Sequence, residues 1–336
     1  LSASSAASDV YKRQVLIEGG IATGVIYKKK SGKDIKVTAT KEVILSAGAV
    51  GSPQILMLSG IGPADHLKDL GIEVVANLPG VGQNLNDHPD FVLKYKSLKP
   101  ISIWPKTKSY KKILSGIQWI LTRKGICASN HFDVVGCIRS GPGVEYPDLQ
   151  LTISPIAVDD KTWSPLQEHA FQIHVGLMRA HSRGEVTLRD SNPMSPPRIL
   201  VNYLKDSRDR DLLRTGIRLV RELVDQPTFS GIRGAEIFPG DNIQADDALD
   251  QHMNTHTTTQ WHLSGTARMG SKTDKGAVVD PSGKVYGISG LRVIDASIMP
   301  MVTNGNTNSP TIMIAEKLSD SILGNPPLPS IEAEVW

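Results

Sequence analysis

Only two of the 336 residues are cysteine, Cys127 and Cys137, which excludes a disulfide scaffold and a cysteine-rich metal centre. Aromatic residues make up 5% and the formal net charge is +3. Nucleic-acid binders show a broad basic face interleaved with aromatics, so no nucleic-acid partner is expected. The lysine run YKKKSGK at 27–33 reads as a solvated hairpin tip. No stretch of about 18 apolar residues occurs, so no transmembrane helix is expected. The chain also lacks G-x-G-x-x-G after a strand with an acidic residue about 20 positions on, the mark of a dinucleotide-binding βαβ unit. GGIATG at 19–24 lacks that spacing and opens no helix. Internal repeats and low-complexity tracts are missing too.

What is present is ordinary for a globular chain: 40% hydrophobic and 21% charged residues, at a length that suggests two domains. Residues 1–14, LSASSAASDVYKRQ, are small, polar and patternless. They are expected to be a non-native leader, with the first strand beginning at Val15. Residues 15–47 read as a β-meander with a hairpin at Gly19-Gly20. The glycine-rich AGAVGSPQILMLSGIGP follows, then a helical pattern in ADHLKDLGI and a second glycine/asparagine loop, PGVGQNLNDHP at 79–89. Apolar spacing predicts a helix over 110–123 and strands of a mostly antiparallel sheet near 132–139, 148–155, 169–178 and 184–189. DRDLLRTGIRLVRELVDQP is an amphipathic helix ending before Pro227. A short strand, LRVIDAS, precedes a last helix, SPTIMIAEKLSDSIL, whose start is signalled by Asn308, Ser309 and Pro310.

Three histidines in HMNTHTTTQWH, His252, His256 and His262, carry the spacing of a three-histidine zinc protease. Met253 stands where the general-base glutamate must be, and Thr259 where the turn glycine belongs. Without the carboxylate nothing activates a metal-bound water, so no metal site is expected. Taken alone, His262 reads first as a capped, satisfied histidine at the entrance of a turn.

Five segments in order change that balance. GAVGSPQILMLSGIG at 48–62, GVGQNLNDHP at 80–89, HLSGTARMG at 262–270, LRVIDASIMP at 291–300 and GNTNSPTIMIAEK at 305–317 resemble the signatures of the glucose–methanol–choline (GMC) oxidoreductases. The resemblance runs from about 15 to 322. Several stretches, among them SRGEVTLRDSNPMSPPRILVNYL, look most like the choline dehydrogenase branch and its medium-chain alcohol dehydrogenase relatives. Ala267 departs from the cysteine that commonly follows the threonine.

The resemblance implies an α/β plus α+β architecture: an incomplete, Rossmann-like FAD-binding domain and a mostly antiparallel-sheet substrate domain flanked by helices. The implied divisions are 15–90 for the FAD-binding region, 91–260 for the substrate domain, 261–325 for the catalytic and flavin-contacting return, and 326–336 for a tail. FAD is the implied cofactor. The implied activity oxidises a primary alcohol by hydride transfer to flavin N5, with choline to betaine aldehyde favoured. A medium-chain alcohol dehydrogenase and a truncated non-catalytic product are the alternatives. A separate electron acceptor (a quinone, a respiratory chain or oxygen) is implied, and the compartment is left open among cytoplasmic, mitochondrial and peripherally membrane-associated.

Such chemistry needs a base for the hydroxyl proton, and histidine suits that with a reference pKa of about 6.5. A second polar group on the same oxygen orients the C–H bond and stabilises alkoxide charge. Carried over from the family, His262 is the base and Asn306 its partner, while Asn308 is expected to cap the last helix. The start of that helix, near Pro310–Thr311, is expected to point its positive end at the flavin. Asp295, Ala296, Asn306, Thr307 and Trp261 are the implied cofactor contacts, with a strand-end turn as the other reading of Asp295. Trp261 and Trp163 are possible aromatic walls for a cationic head group. Asn84, Asp87 and His88 are expected to form a structural loop network.

Overall fold

The computed structural model describes residues 10–29 and 33–329. Lys30–Gly32 of the expected hairpin tip, residues 1–9 of the expected leader and the end of the tail lie outside them. The chain divides into two compact units, one of 1–87, 183–202 and 261–336 and a second of 88–182 and 203–260. Residues 183–202, expected within the substrate domain, therefore group with the first unit.

The first unit opens with strands β1 (Val10–Glu18), β2 (Ile21–Lys29) and β3 (Asp34–Thr38), an antiparallel meander. β1 begins five residues before the expected Val15, because the pairing with β2 extends to Val10 opposite Lys29. Strand β4 (Val43–Leu45) does not continue the meander, as expected from sequence, but pairs in parallel with a strand at 291–293. Its buried Val43 and Leu45 join the core of this unit. Next come helix α1 (Gly48–Leu58), strand β5 (Ile61–Gly62), helix α2 (Ala64–Asp69) and strand β6 (Ala76–Asn77), which pairs in parallel with β5.

The second unit is built on strand β7 (Pro89–Ser97), helix α3 (Ser109–Thr122), and strands β8 (Val134–Ile138), β9 (Leu149–Ser154) and β10 (Ala170–Leu177). The chain then contributes β11 (Glu185–Thr187) and β12 (Arg198–Leu200) to the first unit, where they form a ribbon of their own. The stretch 184–189 was expected in the large sheet and is not part of it. Back in the second unit come helix α4 (Ser207–Val224), strand β13 (Arg233–Phe238), helix α5 (Asp246–His256) and strand β14 (Thr258–Thr259). The antiparallel order is β13-β7-β10-β9-β8, with β14 also on β7.

Alternation along this sheet explains its core. Phe91, Leu93 and Tyr95 of β7 and Phe171, Ile173 and Val175 of β10 point one way, against Leu213, Ile217 and Val220 of α4. Gly216 lets α4 approach: a Cβ there would lie 2.5 Å from Val175 Cγ1. Asp90, Lys94, Gln172 and His174 take the alternate positions. His174 Nδ1 lies 2.6 Å from Asp90 Oδ2, and Lys94 pairs with Asp160 at 2.6 Å. On the core side Glu236 receives Tyr95 Oη at 2.9 Å and Arg221 at 2.7 and 3.0 Å.

The first unit closes with strand β15 (Leu291–Val293) and helix α6 (Asn308–Leu323). Its core gathers Leu56, Met57, Ile61, Leu67, Val279 and Val293.

Candidate functional site

Within the first unit three separate stretches are laced together: 82–87, 264–269 and 295–302. Gly82 N donates to Thr266 O at 2.8 Å, and Asn86 and Ser264 exchange both backbone bonds at 3.0 and 2.8 Å. On the other side Ala267 N donates to Ser297 O and Met269 N to Ile298 O, each at 2.8 Å. The 264–269 stretch thus runs as an irregular strand with partners on both edges. Gly265 is required there: its φ is +84°, and a Cβ would lie 2.7 Å from Asn84 Nδ2.

Side chains of the glycine/asparagine loop then fix the stretches that flank this lattice. Asp87 Oδ1 accepts His262 N at 2.9 Å, and the adjacent Asn86 Oδ1 accepts Val302 N at 2.9 Å. Asn84 has a φ of +62° and donates to Gly265 O at 3.1 Å and Pro300 O at 3.2 Å. Its Oδ1 receives Arg183 Nε at 3.1 Å. Arg183 belongs to the SRGEVTLRD stretch, which sequence reasoning gave no site role. Asn84 and Asp87 thus do the work of a structural loop network. His88 is fully buried.

The glycine-rich stretch expected as a loop is the helix α1, although Gly51 and Pro53 lie inside it. Pro53 has no N–H to give to the carbonyl four residues earlier, that of Ala49. Thr266 Oγ1 supplies the missing donor at 2.6 Å, from a residue that is itself fully buried. The start of α1 is bound by Asp295. Its Oδ2 accepts Gly48 N at 2.9 Å and Ser52 Oγ at 2.5 Å, and its Oδ1 accepts Ser297 N at 2.8 Å. Both carboxylate oxygens are thus engaged by the chain's own donors: Oδ1 in the strand-end turn that the other reading describes, and Oδ2 at the start of α1, which neither reading describes.

The remaining expected positions are placed as follows. His262 is partly buried, and Trp261 beside it is 75% exposed with a φ of +65°. Ala296 is partly buried and opens a 3₁₀ turn with Ser297, whose Oγ is buried with no hydrogen-bond partner among the described residues. Asn306 is exposed and Thr307 buried. Helix α6 starts at Asn308, so the cap position is Thr307 and not Asn308 as expected. No side-chain cap bond is made there and the first turn holds no acidic residue. Its hydroxyl neighbour Thr311 donates back to Thr307 O at 2.6 Å. Thr303 Oγ1 donates to Gly305 O at 3.2 Å and shapes the turn that leads to Asn306.

The other two histidines of the zinc-like pattern lie on α5 in the second unit. Their rings stack at 5.9 Å, and His256 lies edge-on to Phe238 at 4.8 Å. His256 Nδ1 lies 3.0 Å from His252 O, so this ring serves helix packing. Trp163, also in the second unit, is exposed with a φ of +53°.

Comparison with known proteins follows the same segments. Residues 4–90 match the N-terminal and residues 180–315 the C-terminal model described as GMC oxidoreductase. The chain is 46% identical over 319 residues to the oxygen-dependent choline dehydrogenase 1 of Chromohalobacter salexigens, covering 95% of this chain and 57% of that protein. It is 47% identical over 324 residues to the oxygen-dependent choline dehydrogenase of Pseudomonas syringae pv. tomato, with coverage of 96% and 57%. The chain therefore spans 57% of the length of these relatives. Among solved structures, a formate oxidase of Aspergillus oryzae superimposes with a TM-score of 0.87 at 27% identity, over 94% of this chain and 60% of that one. A pyridoxine 4-oxidase matches with a TM-score of 0.81 at 25% identity, over 94% and 58%. The chain belongs to the GMC oxidoreductase family.

Proposed function

We propose that this chain supplies the catalytic and flavin-facing part of an FAD-dependent oxidoreductase that converts a primary alcohol to an aldehyde, with choline the favoured substrate. The observation that carries the reading is the double tether from one loop. Consecutive side chains Asn86 and Asp87 hold, respectively, Val302 on the approach to Asn306 and the backbone of His262. Catalytic groups drawn from distant sequence need such fixed supports, because rate depends on holding reacting groups in one geometry. The choline preference rests on the two relatives named as choline dehydrogenases.

The residues present fit a flavin. The first turn of α6 has no side-chain cap and no acidic residue, so its amide donors and positive end suit the electron-rich pyrimidine edge of an isoalloxazine. Asn306 and Thr307 precede that turn, and the unspent hydroxyl of Ser297 lies next to Ala296. These residues and the exposed Trp261 are assigned to hold the cofactor, with Asp295 acting through its grip on Gly48, Ser52 and Ser297. Bound FAD supplies the hydride acceptor, and a separate electron acceptor completes turnover. The His262 imidazole takes the hydroxyl proton of the alcohol. The Asn306 carboxamide donates to the same oxygen and stabilises the developing alkoxide without competing for the proton.

The test uses FAD-loaded enzyme that contains this chain. His262→Ala is expected to lower kcat by about 10²–10⁴-fold, the contribution of a general base, with flavin content unchanged. Asn306→Ala is expected to cost less. Near-normal turnover of the His262 variant at full flavin content refutes the assignment.

A further inference from the structure

Asn84 stands in the left-handed backbone region, with a φ of +62°, which asparagine tolerates better than most residues that carry a Cβ. Its carboxamide reaches partners on three separate stretches. Nδ2 donates to Gly265 O at 3.1 Å and to Pro300 O at 3.2 Å, and Oδ1 accepts Arg183 Nε at 3.1 Å. The orientation is forced by chemistry. A guanidinium only donates and a backbone carbonyl only accepts, so the oxygen must face Arg183 and the N–H groups must face the carbonyls. Turned over, the same side chain would set its oxygen against two carbonyls and its nitrogen against the guanidinium.

The partners are themselves fixed. Leu85 and Gly184 exchange both backbone bonds, at 2.9 and 2.8 Å, which places Arg183 beside the loop that carries Asn84. On its other side this stretch packs tightly against the end of β12, since a Cβ on Gly184 would lie 2.0 Å from Leu200 O. Pro300 has no N–H, so its carbonyl is the one backbone group by which the chain can be gripped at that residue. The bonds from Asn86 to Val302 and from Asp87 to His262 each reach one of the two stretches that carry the proposed chemistry. The Asn84 nitrogen reaches both, so a single atom sets their spacing.

We infer that Asn84, oriented by Arg183, is a positioning residue for alcohol oxidation: it fixes the spacing between the stretch that follows His262 and the stretch that leads to Asn306. The inference rests on the roles proposed for those two residues. It also gives a part in the reaction to Arg183, which lies outside the five family segments. His262 and Asn306 act on one hydroxyl oxygen, and an error of about 1 Å in such an arrangement costs roughly 10²-fold in rate.

The test uses FAD-loaded enzyme that contains this chain and follows anaerobic bleaching of the flavin by choline, which needs no electron acceptor. Asn84→Asp suits the left-handed backbone and keeps an acceptor for Arg183, but it turns an oxygen toward both carbonyls. Asn84→Gly suits the same backbone and removes the carboxamide. Each is expected to lower the limiting rate by about 10- to 100-fold with flavin content unchanged, and to alter the half-saturating choline concentration less than about threefold. Arg183→Met is expected to lower the rate too, but by less than about threefold once residue 84 is glycine, because it acts through that side chain. In the His262→Ala/Asn306→Ala enzyme neither group is left to be held. Asn84→Gly is expected to change the rate there by less than about threefold, since residues that act as one unit are not additive. Independently of turnover, amide exchange at Val302 is expected to speed up at least about tenfold in Asn84→Gly. Normal rates in both Asn84 variants, an equal loss in the double-alanine background, or unchanged exchange at Val302 overturns the inference and leaves the roles of His262 and Asn306 intact. Near-normal bleaching of His262→Ala at full flavin content, or none in the unsubstituted enzyme, removes those roles and the inference with them.

Discussion

Replacing Thr266 by valine removes one hydroxyl and keeps the shape of the side chain. The bond lost is the 2.6 Å donation to Ala49 O, between two buried residues. In a regular helix that carbonyl would receive the amide of residue 53, but residue 53 is proline. The substitution therefore leaves a buried acceptor without its donor, at a cost of about 1–3 kcal/mol. The proline makes the reasoning testable by a cycle. In a Pro53→Ala background residue 53 regains an N–H that reaches Ala49 O along the helix, so Thr266→Val is expected to cost less there. A coupling of about 1–2 kcal/mol between the two sites is expected, within the range measured for residues that share a hydrogen-bond partner. Native-state hydrogen exchange of the α1 amides reads this unit directly, without assuming that both units unfold together. If Thr266→Val costs the same in both backgrounds, or nothing in either, the proline-compensation account is wrong.

Four further outcomes are expected. Arg221→Met strands the buried Glu236 carboxylate and is expected to cost about 3–5 kcal/mol; a loss below about 1 kcal/mol in urea denaturation would refute the pairing. Burial first, and the neighbouring Glu236 second, hold the Tyr95 hydroxyl well above the usual phenol range. A pKa raised by folding contributes stability that is lost with rising pH, so stability is expected to fall above about pH 10, and Tyr95→Phe should flatten that fall. In FAD-loaded enzyme, choline is expected to exceed its neutral tert-butyl isostere in kcat/KM by about 2- to 30-fold, the worth of a cation on an aromatic face; preference for an uncharged medium-chain alcohol by more than about tenfold on that scale would replace choline. The 336-residue chain by itself is expected to bind no FAD, since it carries no G-x-G-x-x-G unit; a flavin absorbance band that bleaches with choline would refute this.

Sequence periodicity found the elements whose stability is local. The helices α3, α4 and α6 and the strands β8, β9 and β10 lie close to their expected positions, because each shows its own 3.6- or 2-residue pattern. Elements whose support comes from far along the chain were misread. α1 looked like a loop because Gly51 and Pro53 disfavour a helix, and the donor that rescues it is Thr266, more than two hundred residues away. β4 was assigned to the meander because its partner, β15, is equally remote. β7 was missed because Asp90 and Lys94 interrupt its apolar run, yet both are buried and paired, Asp90 with His174 of β10 and Lys94 with Asp160 of the loop that precedes β10. A buried charge reads from sequence as a surface residue until its partner is known.

The site divides along the same line. Its segments were legible, since each motif is a contiguous string of residue types, and the structure brings 82–87, 264–269 and 295–302 into one lattice. How each side chain spends its hydrogen bonds was not legible. An aspartate at the end of a strand fits a cofactor contact and a strand-end turn equally well, and both readings of Asp295 require the same sequence. Its bond to Ser297 favours the turn, and its bonds to Gly48 and Ser52 add a hold on α1 that neither reading contained. The consequence for chemistry is indirect but definite. A carboxylate with three internal donors has little capacity left for a ligand, whereas it fixes the start of α1 and the Ala296–Ile298 turn against each other. Asp295→Asn is then the wrong substitution for measuring ligand contact, because it first disturbs that turn. Ser297→Ala removes a hydroxyl that no described group uses, so any change it produces in flavin retention reports on the cofactor and not on the scaffold.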